Sequence, residues 1–232
     1  MSATQSRRGM SLVFVGVVLA MVLWAPGAAA ADSQRAMHWQ FSVPLTFTSG
    51  GSWDGEDGTS VSMNDDLGWG FGFGSNLSEH LFLGADFTWL SANYDARIAT
   101  DNNADQIPDT EITVAGTLDA GTLAFVGQYN FLAKNVTPFV RGSFGWTWVD
   151  SNIPAGPAQG ACWWDPWWGY VCDTWQPTFG DTAFSYGAAA GIHAALAPGF
   201  FIEGSYNVIW LDLDKSDTAS LDGFRLNLGW TY

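Results

Sequence analysis

The chain ends in an unbroken alternation of apolar and polar side chains. The last nine residues, Phe224 to Tyr232, carry large apolar side chains at every second position and small or polar ones between them. A period of two indicates a strand with one apolar face, and about nine to eleven residues is the length that a tilted strand needs to cross a bilayer. An apolar edge this long would promote aggregation in water. We therefore expect the strand to close a barrel within a membrane.

The beginning of the chain has the pattern of an export signal. Arg7 and Arg8 precede an apolar run that ends in a group of small residues just before Asp32. This order of basic, apolar and small residues is typical of a cleavable secretory signal. A retained membrane anchor is the alternative, although the run is short for a spanning helix. We predict a signal peptide over residues 1–31 and one barrel domain over residues 32–232.

The charge balance narrows the choice of partners. Without the predicted signal peptide, the chain has six basic and 23 acidic residues. Nucleic acids and anionic lipids are bound by clustered lysines and arginines, so neither is expected as a partner. The predicted mature chain also lacks an uninterrupted apolar run of about 18 residues, the length of a spanning helix.

Alternation with a period of two recurs along the whole mature chain. Apolar side chains alternate with glycine, serine, threonine or charged residues in eight segments: 37–47, 67–77, 81–89, a segment ending at 131, 138–148, 184–196, 200–210 and 224–232. Segments of about ten residues with apolar-out and polar-in alternation are typical of outer-membrane barrels. The sequence therefore predicts an all-β fold, an eight-stranded antiparallel up-and-down transmembrane barrel.

The connections between these segments alternate in length. Three are short turns: 76–80, 133–137 and 197–199. Four are longer: 48–66, 91–113, 150–181 and 212–220. Outer-membrane barrels have short periplasmic turns and long extracellular loops, so both termini are expected in the periplasm. The long connections contain 17 of the 23 acidic residues, which predicts an acidic outer face.

Several motifs resemble a known superfamily. They are Gly68–Gly74 (GWGFGFG), Tyr129–Leu132 (YNFL), Thr137–Val140 (TPFV), Phe144–Trp146 (FGW) and the aromatic terminus. The chain is similar in these motifs to the small eight-stranded outer-membrane β-barrels, which include the OmpA transmembrane domain, OmpX and OmpW. The resemblance implies a cell outer-membrane location, with outer-membrane lipids, lipopolysaccharide and the assembly machinery as partners. It also implies that Trp230 and Tyr232 form the assembly signal, with Tyr232 in place of the commoner phenylalanine.

Four charged side chains have the phase of the barrel lumen: Asp86, Arg141, Glu203 and Arg225. Eight strands enclose a space that side chains can fill, and an unpaired charge there would cost several kcal/mol. The four charges are therefore expected to pair. They form either a structural plug or a gate that opens when the pairs rearrange.

The longest connection combines two cysteines with many aromatic residues. Cys162 and Cys172 lie in an exported chain, where a disulfide is expected. The neighbouring aromatic residues are Trp163, Trp164, Trp167, Trp168, Tyr170 and Trp175. They either extend the interfacial aromatic belt or form a platform for a surface ligand, such as a sugar, a host surface or an apolar molecule.

One acidic segment resembles the calcium loops of thrombospondin-type repeats. Asp101, Asn103, Asp105 and Asp109 place oxygen atoms at alternate positions, as a calcium ion requires. Gln106 occupies the position of the usual turn glycine, so a solvated acidic loop is the alternative. Calcium is the one cofactor to be considered.

The sequence favours a protein without catalytic activity. The three histidines, His38, His80 and His193, lie near the predicted periplasmic ends of strands, where none could activate a serine at the outer leaflet. We expect a non-enzymatic outer-membrane barrel that supports the envelope or contacts surfaces. The alternative is an OmpW-like passive channel for small apolar molecules, which the inward phase of Phe82 and Leu90 supports, although most inward residues predict a polar, filled lumen.

Overall fold

The computed structural model describes residues 35–54, 60–100, 110–212 and 219–232. These ranges contain twelve strands: β1 (Trp39–Thr48), β2 (Ser52–Asp54), β3 (Ser60–Met63), β4 (Asp66–Asn76), β5 (Leu81–Thr100), β6 (Thr110–Asn130), β7 (Val136–Pro154), β8 (Gln159–Asp165), β9 (Gly169–Trp175), β10 (Thr178–Ala197), β11 (Phe200–Asp212) and β12 (Ala219–Thr231). The described part of the chain has no helix with the length and apolarity of a membrane span.

Eight of the strands form a closed antiparallel barrel. Their order around the barrel is β1-β4-β5-β6-β7-β10-β11-β12, and β12 pairs with β1 to complete the circle. In the closing pair, Gln40 lies opposite Thr231 and Thr48 lies opposite Gly223. The predicted fold class is confirmed, including the closure of the terminal strand against the first. Closure leaves no long apolar strand edge open to water.

The wall of the barrel follows the alternation of the sequence. Along β7, Val140, Phe144, Trp146 and Trp148 are exposed on the outer surface, while the intervening side chains are buried or half-buried in the lumen. Ten residues of a strand tilted by about 40° rise about 25 Å, which matches the apolar band of outer-membrane barrels. The outward side chains of β7 therefore cover the thickness of a bilayer.

The barrel has two different ends. The terminal end carries Arg35, Tyr232 and the three short turns, and the loop end carries the long connections. Inside the barrel, large rings pack against glycines where a side chain would not fit: Phe82 lies over Gly74 and Gly84, and Phe201 lies over Gly229. Glycine is required at these positions because the ring occupies the space of its missing side chain.

The long connections contain more strand than the sequence predicts. Residues 91–113 were expected to form a loop, but β5 and β6 stay paired out to Thr100 and Thr110. Strands β2 and β3 form a hairpin within 48–66, and β8 and β9 form another within 150–181. The backbone ladder continues where water contacts the wall, and there the outward residues of β5 are polar while Ala92 and Tyr94 are buried. The apolar-out pattern therefore stops before the strands do.

Candidate functional sites in the lumen and on the arm

Glu203 is the centre of a polar network that fills the lumen near the terminal end. Its side chain is 3 % exposed. Arg141 forms an ion pair with Oε2 at 2.6 Å, and the Asn227 amide donates to the same oxygen at 2.8 Å. The Gln128 amide donates to Oε1 at 2.9 Å, and Nδ1 of His193 lies 2.9 Å from the same atom. Four partners compensate for the desolvation of this carboxylate.

The second ion pair joins the same network. Arg225 Nη2 donates to Asp86 Oδ2 at 2.5 Å, and Arg225 Nε donates to Asn227 Oδ1 at 2.8 Å. The Asn227 amide thus bonds both to Arg225 and to Glu203. Because each pair joins strands that are not neighbours, the network links β5, β7, β11 and β12 through the lumen. The four inward charges predicted from the sequence are brought together as two linked pairs.

Below this network, Arg35 closes the terminal end. Its guanidinium donates to the carbonyl oxygens of Glu79, Leu132 and Lys134 at 3.0, 2.9 and 3.2 Å. Glu79 in turn accepts from the backbone N–H groups of Arg35 and Ala36. Burial lowers the pKa of the Arg35 guanidinium, and the nearby Glu79 carboxylate opposes this shift. The segment before β1 is thereby fixed across the two short turns.

Above the network, the lumen is a cavity with mostly apolar walls. Its volume is about 130 Å³, and its lining includes Leu90, Leu118, Val126 and Ile209. Arg225 also borders it. The lumen is therefore not filled in this half of the barrel, although the predicted inward residues Asp86, Arg141 and Ser143 also line the cavity. The β6 segment that contributes Leu118 had no clear phase in the sequence, so its inward apolar side chains could not be assigned.

Toward the loop end, an apolar cluster packs near the cavity. Met63 of β3 is buried with Ala92 and Tyr94 of β5, and Leu118 packs against them. The pairing of β3 with β5 places Met63 opposite Tyr94. The first long connection thus contributes a side chain to the barrel core, which a loop of solvated residues would not do.

The third long connection forms a ribbon that extends from the wall. We call residues 149–181 the arm; it comprises the outer part of β7, the hairpin of β8 and β9, and the start of β10. Pro154 lies opposite Thr178, the N–H of Ala155 donates to the Pro177 carbonyl at 2.7 Å, and β8 pairs with β9 beyond this point. Among the described strands, β8 and β9 pair only with each other.

The predicted disulfide is present in the arm. Cys162 and Cys172 lie opposite each other in the β8–β9 register, with their Cα atoms 4.0 Å apart. Asp165 Oδ1 accepts the backbone N–H groups of Trp167 and Trp168, and Gly169 has a φ of 77°, a conformation that glycine adopts without strain. The disulfide and this turn hold the end of the hairpin in one shape.

The aromatic residues of the arm do not form one surface. Trp164 pairs with Tyr170 on one face of the hairpin, and Trp163 pairs with Val171 on the other. Trp167 and Trp168 lie in the turn. We call Trp164, Trp167, Trp168 and Tyr170 the tip cluster; their exposed fractions are 68 %, 83 %, 80 % and 73 %. Trp163 is 46 % exposed, so the predicted platform has residues on both faces of the hairpin. The side chain of Trp175, its sixth residue, lies outside the described part of the structure.

The remaining predicted residues lie apart from the lumen network and the arm. Trp230 and Tyr232 are exposed at the terminal end, and Trp230 packs on Phe41 and Phe200 at 6.4 and 5.7 Å between ring centres. The calcium candidates Asp101, Asn103, Asp105 and Asp109 lie outside the described residues. Within the described ranges, no group of three or more His, Cys, Asp or Glu side chains could hold a metal ion.

Five members of the lumen network were not predicted from the sequence. Gln128, Asn130, His193 and Asn227 all have the inward phase of their strands, so phase alone could have included them, and Asn130 accepts from Gln128 at 3.1 Å. Arg35 precedes the first strand, where no alternation exists to indicate burial. Neutral amides carry no charge and were therefore not assigned to the network, although they form most of the hydrogen bonds to its charged side chains.

Together these features define a transmembrane β-barrel of the outer-membrane type. The chain belongs to the outer membrane protein β-barrel domain family, whose model matches residues 15–232. No curated protein is significantly similar to it in sequence.

Solved structures share the fold at low sequence identity. OprG from Pseudomonas aeruginosa is 8 % identical, with a TM-score of 0.50 over 87 % of this chain and 99 % of OprG. Neisserial surface protein A is 11 % identical, with a TM-score of 0.48 over 84 % of this chain and 95 % of that protein. Ail from Yersinia pestis is 11 % identical, with a TM-score of 0.45 over 85 % of this chain and 99 % of Ail. These likenesses concern the fold alone.

Proposed function

We propose that this chain is a non-enzymatic, sealed outer-membrane barrel that acts through contacts made by its loop end outside the cell. The observation that carries the proposal is the buried Glu203 network, which fills the lumen toward the terminal end with four partners on one carboxylate. A barrel sealed in this way leaves its exposed connections as the surface available for activity.

The two ends of the barrel support an orientation with the termini in the periplasm. The basic, apolar and small residues of 1–31 support the removal of this segment on export. Short turns and the chain termini share one end, as in other outer-membrane barrels, and the acidic connections share the other. In this orientation, outer-membrane lipids and lipopolysaccharide surround the wall, and the assembly machinery acts on β12 from the periplasm.

The histidines support a role without catalysis. His38 Nδ1 lies 2.8 Å from the Ala36 carbonyl, His80 Nδ1 lies 2.7 Å from the Asn130 carbonyl, and His193 bonds to Glu203. All three lie toward the terminal end, far from a substrate at the loop end. General-base catalysis requires a base within hydrogen-bond reach of the reacting group.

The proposal is tested by cell retention on coated beads. Cells that produce the full chain are compared with cells that produce a variant in which a two-residue turn joins Pro154 to Thr178, its register partner. Beads carry phosphatidylcholine, mucin or albumin, and unchanged heat-modified mobility shows that the variant barrel folds. We expect the variant to lose retention on at least one coating. Equal retention of the two strains on all three coatings would contradict the proposal.

The apolar cavity favours a second candidate, a passive channel for small apolar molecules. A cavity of about 150 Å³ lined by apolar side chains can hold a molecule the size of benzene. Because the Glu203 network fills the lumen below, a route would have to leave through the wall. Proteoliposomes should then take up naphthalene faster than protein-free liposomes, and Ile209→Trp should remove the difference. Equal uptake with and without protein excludes this candidate.

A further inference from the structure

The arm is long enough to carry its tip cluster beyond the membrane of the barrel. Trp148 is the last outward aromatic residue of β7 on the wall, and the backbone continues from Val149 to Asp165 before the turn. Sixteen steps of about 3.3 Å give a contour of at most about 50 Å. The headgroup layer of a bilayer is only about 5 to 8 Å deep on each side. The length of the arm therefore allows the tip cluster to reach a surface that faces the cell.

The chemistry of the arm restricts what that surface can be. The arm contains four aspartates and no lysine, arginine or histidine. An acidic segment without cations repels polyanions and anionic lipids, so these are excluded as partners. The partner must therefore be neutral, zwitterionic or cationic.

The polar groups at the tip indicate whether the partner is a lipid surface or a sugar. Specific ligand sites combine apolar contacts with precisely placed polar side chains. At the tip, the carboxylate of Asp165 already accepts the backbone N–H groups of Trp167 and Trp168. The remaining polar groups of the tip cluster are the indole N–H groups and the Tyr170 hydroxyl. Tryptophan and tyrosine with this amphipathic character concentrate at bilayer interfaces, where the ring contacts acyl chains and the polar edge meets the headgroups.

We propose that the tip cluster docks into the headgroup interface of an apposed zwitterionic phospholipid bilayer. The disulfide and the Asp165 turn order the hairpin before contact, which reduces the entropy lost on docking. This inference rests on the proposed function, since it names the partner of the loop end. It assigns separate roles to the two faces of the hairpin, because Trp163 points away from Trp164.

The test uses the full chain in nanodiscs mixed with phosphatidylcholine liposomes. Co-flotation of the nanodiscs with the liposomes measures docking to a second bilayer. We expect the double variant Trp167→Ser/Trp168→Ser to reduce co-flotation by about a hundredfold, since each buried indole contributes a factor of about ten. The matched control, Trp163→Ser on the other face, should retain co-flotation close to that of the unaltered chain.

Brominated lipid identifies which bilayer the tip enters. The difference in fluorescence between the unaltered chain and the double variant reports Trp167 and Trp168. Brominated phosphatidylcholine should quench this fluorescence when it is in the liposomes and not when it is in the nanodisc. Quenching only from the nanodisc would overturn the inference, because the tip would then rest on its own membrane. Co-flotation that is unchanged in the double variant would also overturn it.

The bead assay separates this inference from the proposed function. Retention on mucin that depends on the arm, without co-flotation of phosphatidylcholine liposomes, would overturn the lipid partner and leave the contact function intact. If retention does not depend on the arm with any coating, both the lipid partner and the proposed contact function are contradicted.

Discussion

Two sets of exposed aromatic side chains differ in what surrounds them. On the wall, rings lie against rings of neighbouring strands, as Trp69 does with Trp89 at 5.1 Å, and Trp69 is 57 % exposed. At the tip of the arm, Trp167 and Trp168 are 83 % and 80 % exposed. A bilayer covers the first set, whereas the second belongs to a hairpin that pairs with no other described strand. Strand register, and not composition, distinguishes the rings of the wall from those of the arm.

The largest effect is expected at the aromatic residues that end the wall. Replacing Trp230 and Tyr232 with alanine should block insertion in the outer membrane while export continues, because β12 closes the barrel on β1 and resembles the family's assembly signal. Cell fractionation and heat-modified mobility measure the result. Phe224→Ala, farther from the C-terminus in the same strand, is the control and should insert. Normal insertion of the double variant would show that these residues are not the signal.

The next effect concerns the polar network of the lumen. This network makes the barrel rigid and has no counterpart among the described residues of the arm. Glu203→Ala should lower the free energy of unfolding by about 3 to 5 kcal/mol, since it leaves the Arg141 guanidinium buried without its carboxylate. Urea unfolding in micelles measures this loss. Asp222→Ala, which removes an exposed bond to Tyr206, should cost less than about 1.5 kcal/mol. Similar losses for both variants would contradict a network that stabilises the barrel.

A smaller and local effect is expected from the disulfide. Replacing Cys162 and Cys172 with serine removes a constraint of about 3 kcal/mol in the chain-entropy model. Because β8 and β9 pair only with each other among the described strands, chymotrypsin should cleave the arm faster while the barrel unfolds at the same temperature. A lower unfolding temperature of the whole barrel would show that the arm and the wall are not independent.

The smallest effect is expected from calcium. If Asp101, Asn103, Asp105 and Asp109 bind the ion, isothermal titration should show a weak site with a dissociation constant of about a millimolar, as in extracellular calcium modules. Replacing Asp105 with asparagine should weaken it, and tip docking should not change. The absence of heat at millimolar calcium would end this hypothesis.

The sequence predicts the fold well because one physical requirement governs the wall. Lipid contacts every second residue of β7 between Pro138 and Trp148, so the outward residues must be apolar or small, and the pattern identifies the strand. Beyond Leu90, β5 is outside that constraint and its alternation changes sense: Ser91, Asn93 and Asp95 are exposed, whereas Ala92 and Tyr94 are buried, and the ladder continues to Thr100. The apolar-out pattern therefore ends at Leu90, and a strand assigned from that pattern alone ends too early.

The lumen was predictable only in part, for a related reason. Phase indicates that Asp86 and Arg225 point inward, but the two residues lie on β5 and β12, with two strands between them. Which charge meets which across the lumen depends on the curvature and stagger of the closed sheet. Arg35 has no strand phase at all, and its three carbonyl partners come from two turns that only the closed barrel brings together.

Conductance of the purified chain in planar bilayers tests the sealed lumen most directly. The account predicts no stable current steps from the unaltered chain, because the Glu203 network fills the lumen. Glu203→Ala should show openings only if the network also serves as a gate, and conductance equal to that of the unaltered chain would exclude the gate. Stable, ohmic steps from the unaltered chain would contradict the account, since its lumen would then be an open path.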